Sequence, residues 1–515
     1  MLVIKKLELY MKKDLRVLLK DFNFSLNPGD KVALIGEEGN GKSTLLKAIY
    51  DANLVEDYIE LKGEIFKQNE ILGYLPQKLE EKISNMNVND YIMDNKEDFD
   101  YNLFYELLKE LNIEEELAYR ENRISELSGG EKIKIQLLKL MLEEPTVLLL
   151  DEPSNDLDME SIIGLEQFIK NAKIPIMFVS HDEVLIEKCA NTIIHIEQLM
   201  RKSEPKYTIS RQTYQEYLSI RDYQISTTER IANKEREELD KKMDKYRRIY
   251  DKVERAQREV SRQDPAAGKN LKDKMHTVKS MGRRFEKEEE NLTKRPDFEE
   301  SISIKFGKEN VLPNGKKVLE FHLDELKIED KILSKDIYLE ITGAKKICIV
   351  GENGIGKTTL IRKILGEIKD DVTHFYMSQN YVETMDSTLT PIDYLKKNET
   401  KDENTRVRTY LGSLKFTKEE MERPISELSG GQVAKLFFSN MTSGEYQVLV
   451  LDEPTRNLSP LSGPEIRNAL KNFSGCVISI SHDRKYLEEV VDYLYILDKD
   501  GLKEVSKEKY LEKYM

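Results

Sequence analysis

The 515-residue chain is poor in the residues that build covalent or metal-held scaffolds. Its three cysteines, Cys189, Cys348 and Cys476, are far apart, and none stands in the CxxC spacing typical of zinc and iron–sulfur sites. We therefore expect reduced, buried thiols. The chain also lacks a run of 18 apolar residues, and its first residues lack the apolar block of a signal peptide. These absences predict a cytoplasmic protein without membrane spans.

Charge is distributed unevenly along the chain. The net charge is −14, yet residues 241–284 carry 15 Lys and Arg against 6 Asp and Glu. A basic segment in an otherwise acidic protein indicates a local contact with a polyanion. The alternative is a solvated helical face with no partner.

Four short motifs occur twice, in the same order. They are a GxxxxGK[ST] loop (36–44 and 351–359), Leu-Ser-Gly-Gly (127–130 and 428–431), an apolar strand ending in Asp-Glu-Pro (147–153 and 448–454), and Ser-His-Asp (180–182 and 481–483). In both copies 24 positions separate the signature leucine from the aspartate, and 30 separate that aspartate from the histidine. Such agreement predicts two copies of one α/β domain, at 1–204 and 301–515.

The intervening residues 205–300 predict a basic helical hairpin. Residues 214–262 contain no Pro or Gly and read as one long helix. Apolar residues then recur at heptad spacing on both sides of a Pro-containing break, which indicates two antiparallel helices in a coiled coil with a tip near 261–270. Asp264 and Pro265 suit the start of the second helix.

Each glycine-rich loop stands between an apolar strand and a helical pattern, the context in which this motif binds phosphate. The glycines let backbone N–H groups surround the phosphates at a helix N-terminus, the lysine reaches the β- and γ-phosphates, and the following hydroxyl ligates Mg²⁺. The predicted ATP-binding residues are Gly36, Gly39, Gly41, Lys42, Ser43 and Thr44 in the first loop and Gly351, Asn353, Gly354, Gly356, Lys357, Thr358 and Thr359 in the second.

The residues after the apolar strands predict the hydrolytic chemistry. Asp151 and Asp452 are expected to hold the Mg²⁺ shell, while Glu152 and Glu453 polarise the attacking water. A histidine follows a later apolar strand in each copy, where it can contact the γ-phosphate; these are His181 and His482. The sequence therefore predicts an ATPase with two sites.

The whole pattern resembles the ATP-binding-cassette superfamily over most of the chain. The resemblance implies that the signature of one domain closes over the ATP held by the other. Site one would combine the first loop with Gln77, Asp151, Glu152 and His181, closed by Ser429, Gly430 and Gly431. Site two would combine the second loop with Gln379, Asp452, Glu453 and His482, closed by Ser128, Gly129 and Gly130. It also implies Mg²⁺ contacts for the two glutamines and adenine stacking for Tyr10 in site one.

Two fused cassettes without membrane spans resemble most the ABC-F family, in which a hairpin of this kind joins the cassettes. The superfamily's iron–sulfur recycling and zinc-bearing repair members need cysteine clusters that this sequence lacks. The ABC-F resemblance implies a monomer with intramolecular cassette pairing that binds the 70S ribosome at its E site. The hairpin would then point at the P-site tRNA and the peptidyl-transferase centre of the 23S ribosomal RNA.

Two features resemble the antibiotic-resistance branch of that family. Only 50 positions separate Gln77 from Leu127, which leaves no room for the extra arm common in housekeeping members. The second cassette also has the divergent turn 454–460, where Ser459 replaces the usual aspartate and calls equal hydrolysis at the two sites into question. The resemblance implies protection against lincosamides, pleuromutilins and streptogramin A.

The basic hairpin supplies the candidate RNA contacts, which are Arg258, Arg262, Lys269, Lys272, Lys274, His276, Lys279, Arg283 and Arg284. Two other functions stay open from the sequence. One is a translation factor that acts on ribosomes without drug specificity. The other, more remote, is the ATPase subunit of a transporter, which has no need of the hairpin.

Overall fold

In the computed structural model the described residues are 2–93, 99–199, 204–259, 265–293, 306, 311–329, 331–379, 385–414, 416–428, 430–456 and 458–515. The chain divides into two units. The first contains residues 1–214 and 299–515, and the second contains residues 215–298. Each unit is described by itself below.

The first cassette opens the chain. Its strands are β1 (Leu2–Met11), β2 (Val17–Leu26), β3 (Lys31–Ile35), β4 (Ile59–Phe66), β5 (Leu72–Leu75), β6 (Val147–Asp151), β7 (Ile176–Val179), β8 (Thr192–Gln198) and β9 (Glu204–Ser210). Its helices are α1 (Lys42–Tyr50), α2 (Glu81–Ser84), α3 (Val88–Met93), α4 (Tyr101–Glu110), α5 (Glu115–Ala118), α6 (Gly129–Met141), α7 (Met159–Asn171) and α8 (Glu183–Cys189), with 3-10 turns at Ala52–Leu54 and Ile124–Glu126.

A six-stranded sheet forms the centre of this cassette, in the order β5-β6-β7-β3-β8-β9. All neighbours are parallel except β9, which runs antiparallel to β8. Every residue of β3, β6 and β7 is buried, as expected for parallel strands covered on both faces. A separate antiparallel sheet has the order β2-β1-β4. The parallel strands bring their carboxyl ends to one edge, where the motifs begin.

The second cassette repeats this plan. Its strands are β10 (Lys317–Ile328), β11 (Lys331–Thr342), β12 (Lys346–Val350), β13 (His374–Met377), β14 (Val448–Asp452), β15 (Cys476–Ile480), β16 (Tyr493–Asp498) and β17 (Gly501–Val505). The central sheet has the order β13-β14-β15-β12-β16-β17, which matches the first cassette strand for strand, and β10 and β11 pair separately. The predicted fold class of two α/β cassette domains is therefore confirmed.

The helices of this region follow the motifs in the same way. In chain order after the helical segment they are α11 (Lys357–Glu367), α12 (Pro391–Leu395), α13 (Lys401–Ser413), α14 (Lys418–Glu422), α15 (Gly430–Ser443), α16 (Gly463–Lys471), α17 (Arg484–Glu489) and α18 (Lys507–Tyr514), with a 3-10 turn at Ile425–Glu427. The two helices before them, α9 (Tyr214–Glu259) and α10 (Pro265–Glu290), account for most of the second unit.

Helices α9 and α10 pack against each other in opposite directions. Gln257 near the end of α9 donates to the Leu271 carbonyl at 3.0 Å, whereas Tyr246, further back, packs edge-on against Phe285 with ring centroids 6.0 Å apart. The heptad residues Leu239 and Met275 are among those buried between the helices. These contacts have the order of an antiparallel hairpin. Part of its predicted tip, residues 261–264, lies outside the described residues.

Candidate functional site

The first glycine-rich loop joins β3 to α1 and closes around its own lysine. Gly36, Gly39 and Gly41 have φ of 140°, 81° and 92°, in the region that favours glycine. A Cβ at Gly36 would also stand 2.2 Å from the Ile196 carbonyl oxygen of β8. Lys42 Nζ donates to the carbonyls of residues 36 and 37, at 2.8 and 2.9 Å. The loop is thus a backbone nest at the positive end of α1.

The second loop, between β12 and α11, has the same geometry. Gly351, Gly354 and Gly356 have φ of 156°, 80° and 97°. Lys357 Nζ donates to the carbonyls of Gly351 and Glu352 at 2.7 and 2.9 Å. The two loops therefore hold their lysines alike, although their sequences differ at the variable positions.

Each loop hydroxyl is hydrogen bonded to the strand-end aspartate of its own cassette, and the sequence predicted both as Mg²⁺ ligands. Ser43 Oγ lies 2.8 Å from Asp151 Oδ1, and Thr358 Oγ1 lies 2.9 Å from Asp452 Oδ2. Burial raises the pKa of Asp151 to about 6, and it raises the pKa of Asp452 as well. A hydroxyl and a carboxylate together are hard oxygen donors, which suit Mg²⁺ when nucleotide and water supply its other ligands. The residues present therefore fit that ion.

Glu152 of site one is surrounded by hydrogen-bond donors. Gln77 Nε2 donates to its Oε2 at 2.7 Å, Asn155 donates to the same oxygen, and His181 Nε2 lies 3.3 Å from its Oε1. Burial acts to raise the pKa of Glu152, but interactions with His181, then with Lys42 and Asn155, together outweigh burial and bring the pKa to about 2. The other ring nitrogen of His181 donates to the Leu458 carbonyl of the second cassette, 2.5 Å away. This glutamate is ionised at neutral pH.

Glu453 of site two has a poorer set of partners. Its Oε2 accepts the backbone N–H of His482 at 3.3 Å, and the ring Nε2 of His482 lies 3.9 Å from its Oε1. Burial and then the neighbouring Asp452 raise the pKa of Glu453 to about 7. Burial and then Lys357 lower the pKa of His482 to about 3, so that this ring is neutral. Both glutamates have left-handed backbone, with φ of 51° for Glu152 and 54° for Glu453.

A cavity of about 780 Å³ lies between the second phosphate loop and the signature of the first cassette. Its lining includes Lys357, Gln379 and Glu453 of site two on one side, and Ser128 and Gly129 on the other. Gln379, which the sequence placed in site two, is thus on the cavity wall, and the structure brings the predicted halves of site two together. Cavity walls from two domains are a common setting for ligand sites.

The signature of the first cassette is held by its own domain. Ser128 caps α6 in a reciprocal capping box with Glu131. A Cβ at Gly129 would stand 2.1 Å from the Asp156 carbonyl oxygen, and one at Gly130 would stand 2.0 Å from Ser161 Oγ. Close packing within the first cassette therefore requires glycine at both positions.

The matching signature on the second cassette is only partly described. Ser429 lies outside the described residues, and Gly430 and Gly431 are the first two residues of α15. Further along α15, Lys435 Nζ lies 3.5 Å from Glu37 Oε2 of the first phosphate loop. Ser462 Oγ donates to the other oxygen of that glutamate at 2.8 Å. The signature helix of the second cassette thus contacts the first phosphate loop.

Tyr10 lies on β1, in the outer sheet. Its hydroxyl donates to Glu8 at 2.7 Å, and Lys62 Nζ stands 4.8 Å from its ring centroid. Arg16, between β1 and β2, reaches the first phosphate loop, with Nη2 3.4 Å from the Gly39 carbonyl oxygen. Adenine stacking by Tyr10 stays a prediction.

The candidate RNA contacts lie on α9 and α10. Arg258, near the end of α9, pairs with Glu254 at 3.1 Å and is largely exposed. The other described candidates are all exposed residues of α10, namely Lys269, Lys272, Lys274, His276, Lys279, Arg283 and Arg284. Arg262 lies outside the described residues. The described part of the pair therefore presents the predicted basic residues to solvent.

Several site residues were missed from sequence alone. Tyr74 of β5 places its hydroxyl 3.4 Å from Asp151 Oδ2, and Glu37 and Leu458 make the contacts between cassettes already described. Glu37 is a variable position of the loop motif, and Leu458 contributes only its carbonyl, so neither carries a motif signal. Tyr74 does carry a signal, because it is a polar residue in a short apolar strand, two positions before Pro76.

Comparison with known proteins gives a family match. A family model described as ABC transporter matches residues 19–155 and 334–456, which is just over half of the chain. Both matched segments contain the phosphate loop, the signature and the strand-end Asp-Glu. Among the described residues no helix is both long and apolar enough to span a bilayer.

Relatives match nearly the whole chain. The ribosome protection protein VmlR of Bacillus subtilis is 27% identical over 96% of this chain and 86% of its own length. The energy-dependent translational throttle protein EttA of Escherichia coli is 26% identical over 94% of this chain and 90% of its own length. A crystal structure of an archaeal ribosome recycling factor with a ribosomal stalk protein covers 99% of this chain and 92% of that one, at 18% identity and a TM-score of 0.59. At that identity the structural likeness concerns the fold alone.

Proposed function

This chain belongs to the ABC transporter family, and from that premise we propose that it is an ATP-driven ribosome factor of the ABC-F type. The family's cassettes bind ATP and belong to the ATP-hydrolysing nucleoside triphosphatases. The observation that carries the proposal is the arrangement of the cassettes. Each phosphate loop faces residues of the opposite cassette, so that ATP bound at either loop would join the two.

In the proposed ATP cycle, Lys42 and Lys357 bind the β- and γ-phosphates from the nests that already surround their ammonium groups. Glu152 orients the attacking water and accepts its proton, for which its ionised state suits it. Glu453 has the same position in site two. The ring of each neighbouring histidine, His181 or His482, then contacts the γ-phosphate.

The proposed Mg²⁺ shell uses the two hydroxyl–carboxylate pairs. Ser43 with Asp151 would hold the ion in site one, and Thr358 with Asp452 would hold it in site two. The ion would neutralise charge on the β- and γ-phosphates. Gln77, whose amide donates to Glu152, is proposed to share this role.

We place the partner on the ribosome because a basic, exposed helix accompanies the cassettes. Exposed Lys and Arg of α10 suit a sequence-independent contact with RNA phosphates. The names of the two relatives, a ribosome protection protein and a translational throttle protein, point to the same partner. The proposed location is accordingly cytoplasmic, with the E site, the P-site tRNA and the 23S ribosomal RNA as the contacts.

The finer proposal is protection of the peptidyl-transferase centre against lincosamides, pleuromutilins and streptogramin A. Its support is the short first cassette and the divergent turn at 454–460. The alternative is a translation factor without drug specificity. Identities of 27% and 26% to the two relatives do not separate these functions. A deletion strain decides between them, because protection predicts increased sensitivity to these drugs while the alternative predicts unchanged sensitivity.

The cycle is tested by the double variant Glu152→Gln/Glu453→Gln. Without either base, ATP should stay intact at the interface and the protein should remain on ribosomes through sucrose-gradient sedimentation in MgATP. The matched control is Glu60→Gln/Glu64→Gln, which makes the same changes on the exposed strand β4. A double variant that leaves the ribosome fraction as readily as the control contradicts the proposed cycle.

The role of the helix pair is tested by removing charge from α10. Lys272→Gln/Lys279→Gln should weaken ribosome binding and lessen its dependence on salt, because each neutralised phosphate contributes to counterion release. Lys13→Gln/Lys20→Gln, two exposed lysines of the first cassette, is the control with equal charge. Equal salt dependence for the two variants would remove α10 from the RNA contact.

A further inference from the structure

Beyond the nucleotide sites, four charged residues meet between the cassettes; three are buried, and the side chain of the fourth, Glu183, is 12% exposed. Glu166 of α7 and Glu183 of α8 belong to the first cassette, while Arg467 of α16 and Arg484 of α17 belong to the second. The two arginines are 2% and 1% exposed. Charged side chains are almost never buried to this degree unless they are paired. We refer to these four residues as the charge set.

The charge set pairs across the interface. Arg467 donates from Nη1 and Nη2 to the two carboxylate oxygens of Glu183, at 2.6 and 3.3 Å. Arg484 forms an ion pair with Glu166 and places Nη2 2.9 Å from Asp182 Oδ2. Arg467 also holds Glu489 of its own cassette, with Nε 2.9 Å from Oε2. Fork-like arginine–carboxylate contacts of this type are both strong and directional.

A glycine at the start of α16 gives the Arg467–Glu183 ion pair the space that it occupies. A Cβ at Gly463, the first residue of α16, would stand 2.6 Å from Glu183 Oε1 and 2.7 Å from Arg467 Nη1. Any larger residue at this position would therefore intrude on the ion pair. A glycine, a buried arginine and a largely buried carboxylate together form a built contact.

The four residues of the charge set occupy only two equivalent positions of the repeated cassette. Glu166 and Arg467 each stand 15 positions after the strand-end aspartate of their cassette, and Glu183 and Arg484 each stand 32 positions after it. Equivalent positions in the two copies thus carry opposite charges, and each position pairs with the other position on the partner cassette. Two first cassettes facing each other would bring Glu166 against Glu183, and two second cassettes would bring Arg467 against Arg484.

We propose that the charge set selects the pairing of the first cassette with the second cassette of the same chain, against pairing of like cassettes from two copies. The phosphate loops and signatures are common to both cassettes, so the shared motifs do not discriminate between these pairings. Opposite charges at equivalent positions do discriminate, because like charges buried together cost several kcal/mol. The partner that fits each face is therefore the opposite cassette, which the same chain supplies.

The first test is a double-mutant cycle on the Arg467–Glu183 pair in the full chain. The singles Glu183→Arg and Arg467→Glu each place like charges together, and the double variant restores an opposite pair. All variants also carry Glu160→Cys and Lys513→Cys, one on each cassette. The rate at which a short bis-maleimide cross-links these two cysteines within one chain measures how well the two cassettes pair. The exposed side chains of Glu160 and Lys513 stand 3.1 Å apart across the cassettes, and the three natural cysteines are buried.

Each single should slow the cross-link by at least about tenfold, and the double should recover to within about threefold of the parent. Burial raises the pKa of Glu183 to about 7, against the hydrogen bond from Arg467, so the reaction is run at about pH 8, where the carboxylate is ionised. Glu60→Arg on the outer sheet controls for the change in net charge. A double variant as slow as the slower single, with all proteins folded by circular dichroism, overturns the proposal.

A second double-mutant cycle uses neutral substitutions at the same two positions. It tests the proposal even if a charge-reversed variant fails to fold. Glu183→Gln leaves Arg467 with Glu489 as its carboxylate partner on its own cassette, and Arg467→Gln leaves Glu183 without its arginine, whereas the double Gln variant removes both charges. The double should then cross-link faster than Arg467→Gln, because an uncompensated buried charge is the larger cost. Additive losses in this cycle would equally overturn the proposal.

The second test addresses selection itself. Glu183→Arg makes the first cassette self-complementary. When two first cassettes face each other, Glu166 of one copy would lie against the new arginine at position 183 of the other copy, and the two would form an ion pair. Light scattering should detect concentration-dependent dimers of this variant. Glu183→Gln, which weakens the same pair without creating self-complementarity, should remain monomeric like the parent. If the two variants have the same mass at every concentration, the charge set does not select between pairings.

Discussion

The two nucleotide sites place a glutamate at the end of the same strand but give it different surroundings. In site one Glu152 has three side-chain partners and a pKa of about 2. In site two Glu453 has one backbone hydrogen bond within the described part of the chain and a pKa of about 7, next to a neutral His482. The same motif therefore yields an ionised base in one site and a half-ionised base in the other at neutral pH.

The divergent turn of the second cassette contributes to this difference across the interface. Its Leu458 carbonyl accepts from His181, which orients that ring toward Glu152 of site one. Arg456, at the position equivalent to Asn155, pairs with Asp156 of the first cassette at 2.8 Å, whereas Asn155 binds Glu152. Leu458 has a leucine, Leu157, as its equivalent in the first cassette, so of these two contacts only that of Arg456 follows from the divergence of the turn.

The largest expected effect comes from removing each glutamate alone. Loss of a general base costs about 10²–10⁴-fold in the rate of the site that loses it, so each single variant reports the turnover of the other site. At pH 7 we expect Glu152→Gln to lower ATP turnover more than Glu453→Gln, because three side chains orient Glu152, whereas Glu453 accepts a single backbone N–H among the described residues. Phosphate release at saturating ATP measures this, with Glu60→Gln as control. Equal residual rates for the two variants would contradict the difference between the sites.

The next largest effect separates the histidines. His181→Ala removes a ring with contacts to both Glu152 and Leu458, which should cost about 1.5–3 kcal/mol, or roughly 10- to 100-fold in turnover. His482→Ala should cost less, since within the described residues neither ring nitrogen of His482 has a hydrogen-bond partner. The test is turnover of each variant in a background whose other site carries Glu→Gln. A larger loss from His482→Ala would reverse this order.

A smaller, roughly tenfold effect is expected from pH. With Glu453→Gln, only site one turns over, and its rate should be flat between about pH 6 and 8, far above the pKa of Glu152. With Glu152→Gln, only site two turns over, and its rate should rise about tenfold over that range with a midpoint near the pKa of Glu453. Parallel profiles for the two variants would exclude the difference in ionisation.

The same pKa shifts predict opposite effects on stability. The lowered pKa of Glu152 stabilises the fold above about pH 4.5, and this contribution is lost as pH falls toward 2. The raised pKa of Glu453 costs stability as pH rises from about 4.5 through 7, because the folded state disfavours its ionised form. Denaturation of Glu453→Gln against the parent at about pH 6 and 8 measures the second contribution, and a difference independent of pH would contradict it.

The smallest effect is expected from Arg456→Ala. The ion pair with Asp156 is 27% and 61% exposed, and exposed pairs contribute about 0.2–1 kcal/mol. Nucleotide affinity at site two should therefore fall by less than about fivefold. Arg408→Ala, which loses an exposed pair with Glu422 within the second cassette, is the matched control. A loss beyond tenfold would mean that the turn at 454–460 also shapes site two.

Much of the candidate site could be predicted because local chemistry determines it. The buried strands ending at Ile35 and Asp151 follow from short apolar runs, and the glycines between β3 and α1 follow from backbone angles that other residues adopt poorly. Ser43 and Asp151, which the sequence separately predicted as Mg²⁺ ligands, lie 2.8 Å apart, and their contact with the ion stays a prediction. Adenine stacking by Tyr10 and the RNA contacts depend on partners and stay predictions.

The sequence by itself therefore determined the two cassettes, their phosphate loops and the strand-end carboxylates, since each depends on residues close together in the chain. Only the tertiary structure decided which donors surround each glutamate. His181 and Leu458 are 277 positions apart, and Arg467 and Glu183 are 284 apart, so no local pattern records these contacts. Burial and the neighbouring charges, which depend on packing between the cassettes, then set the two glutamates at different pKa values.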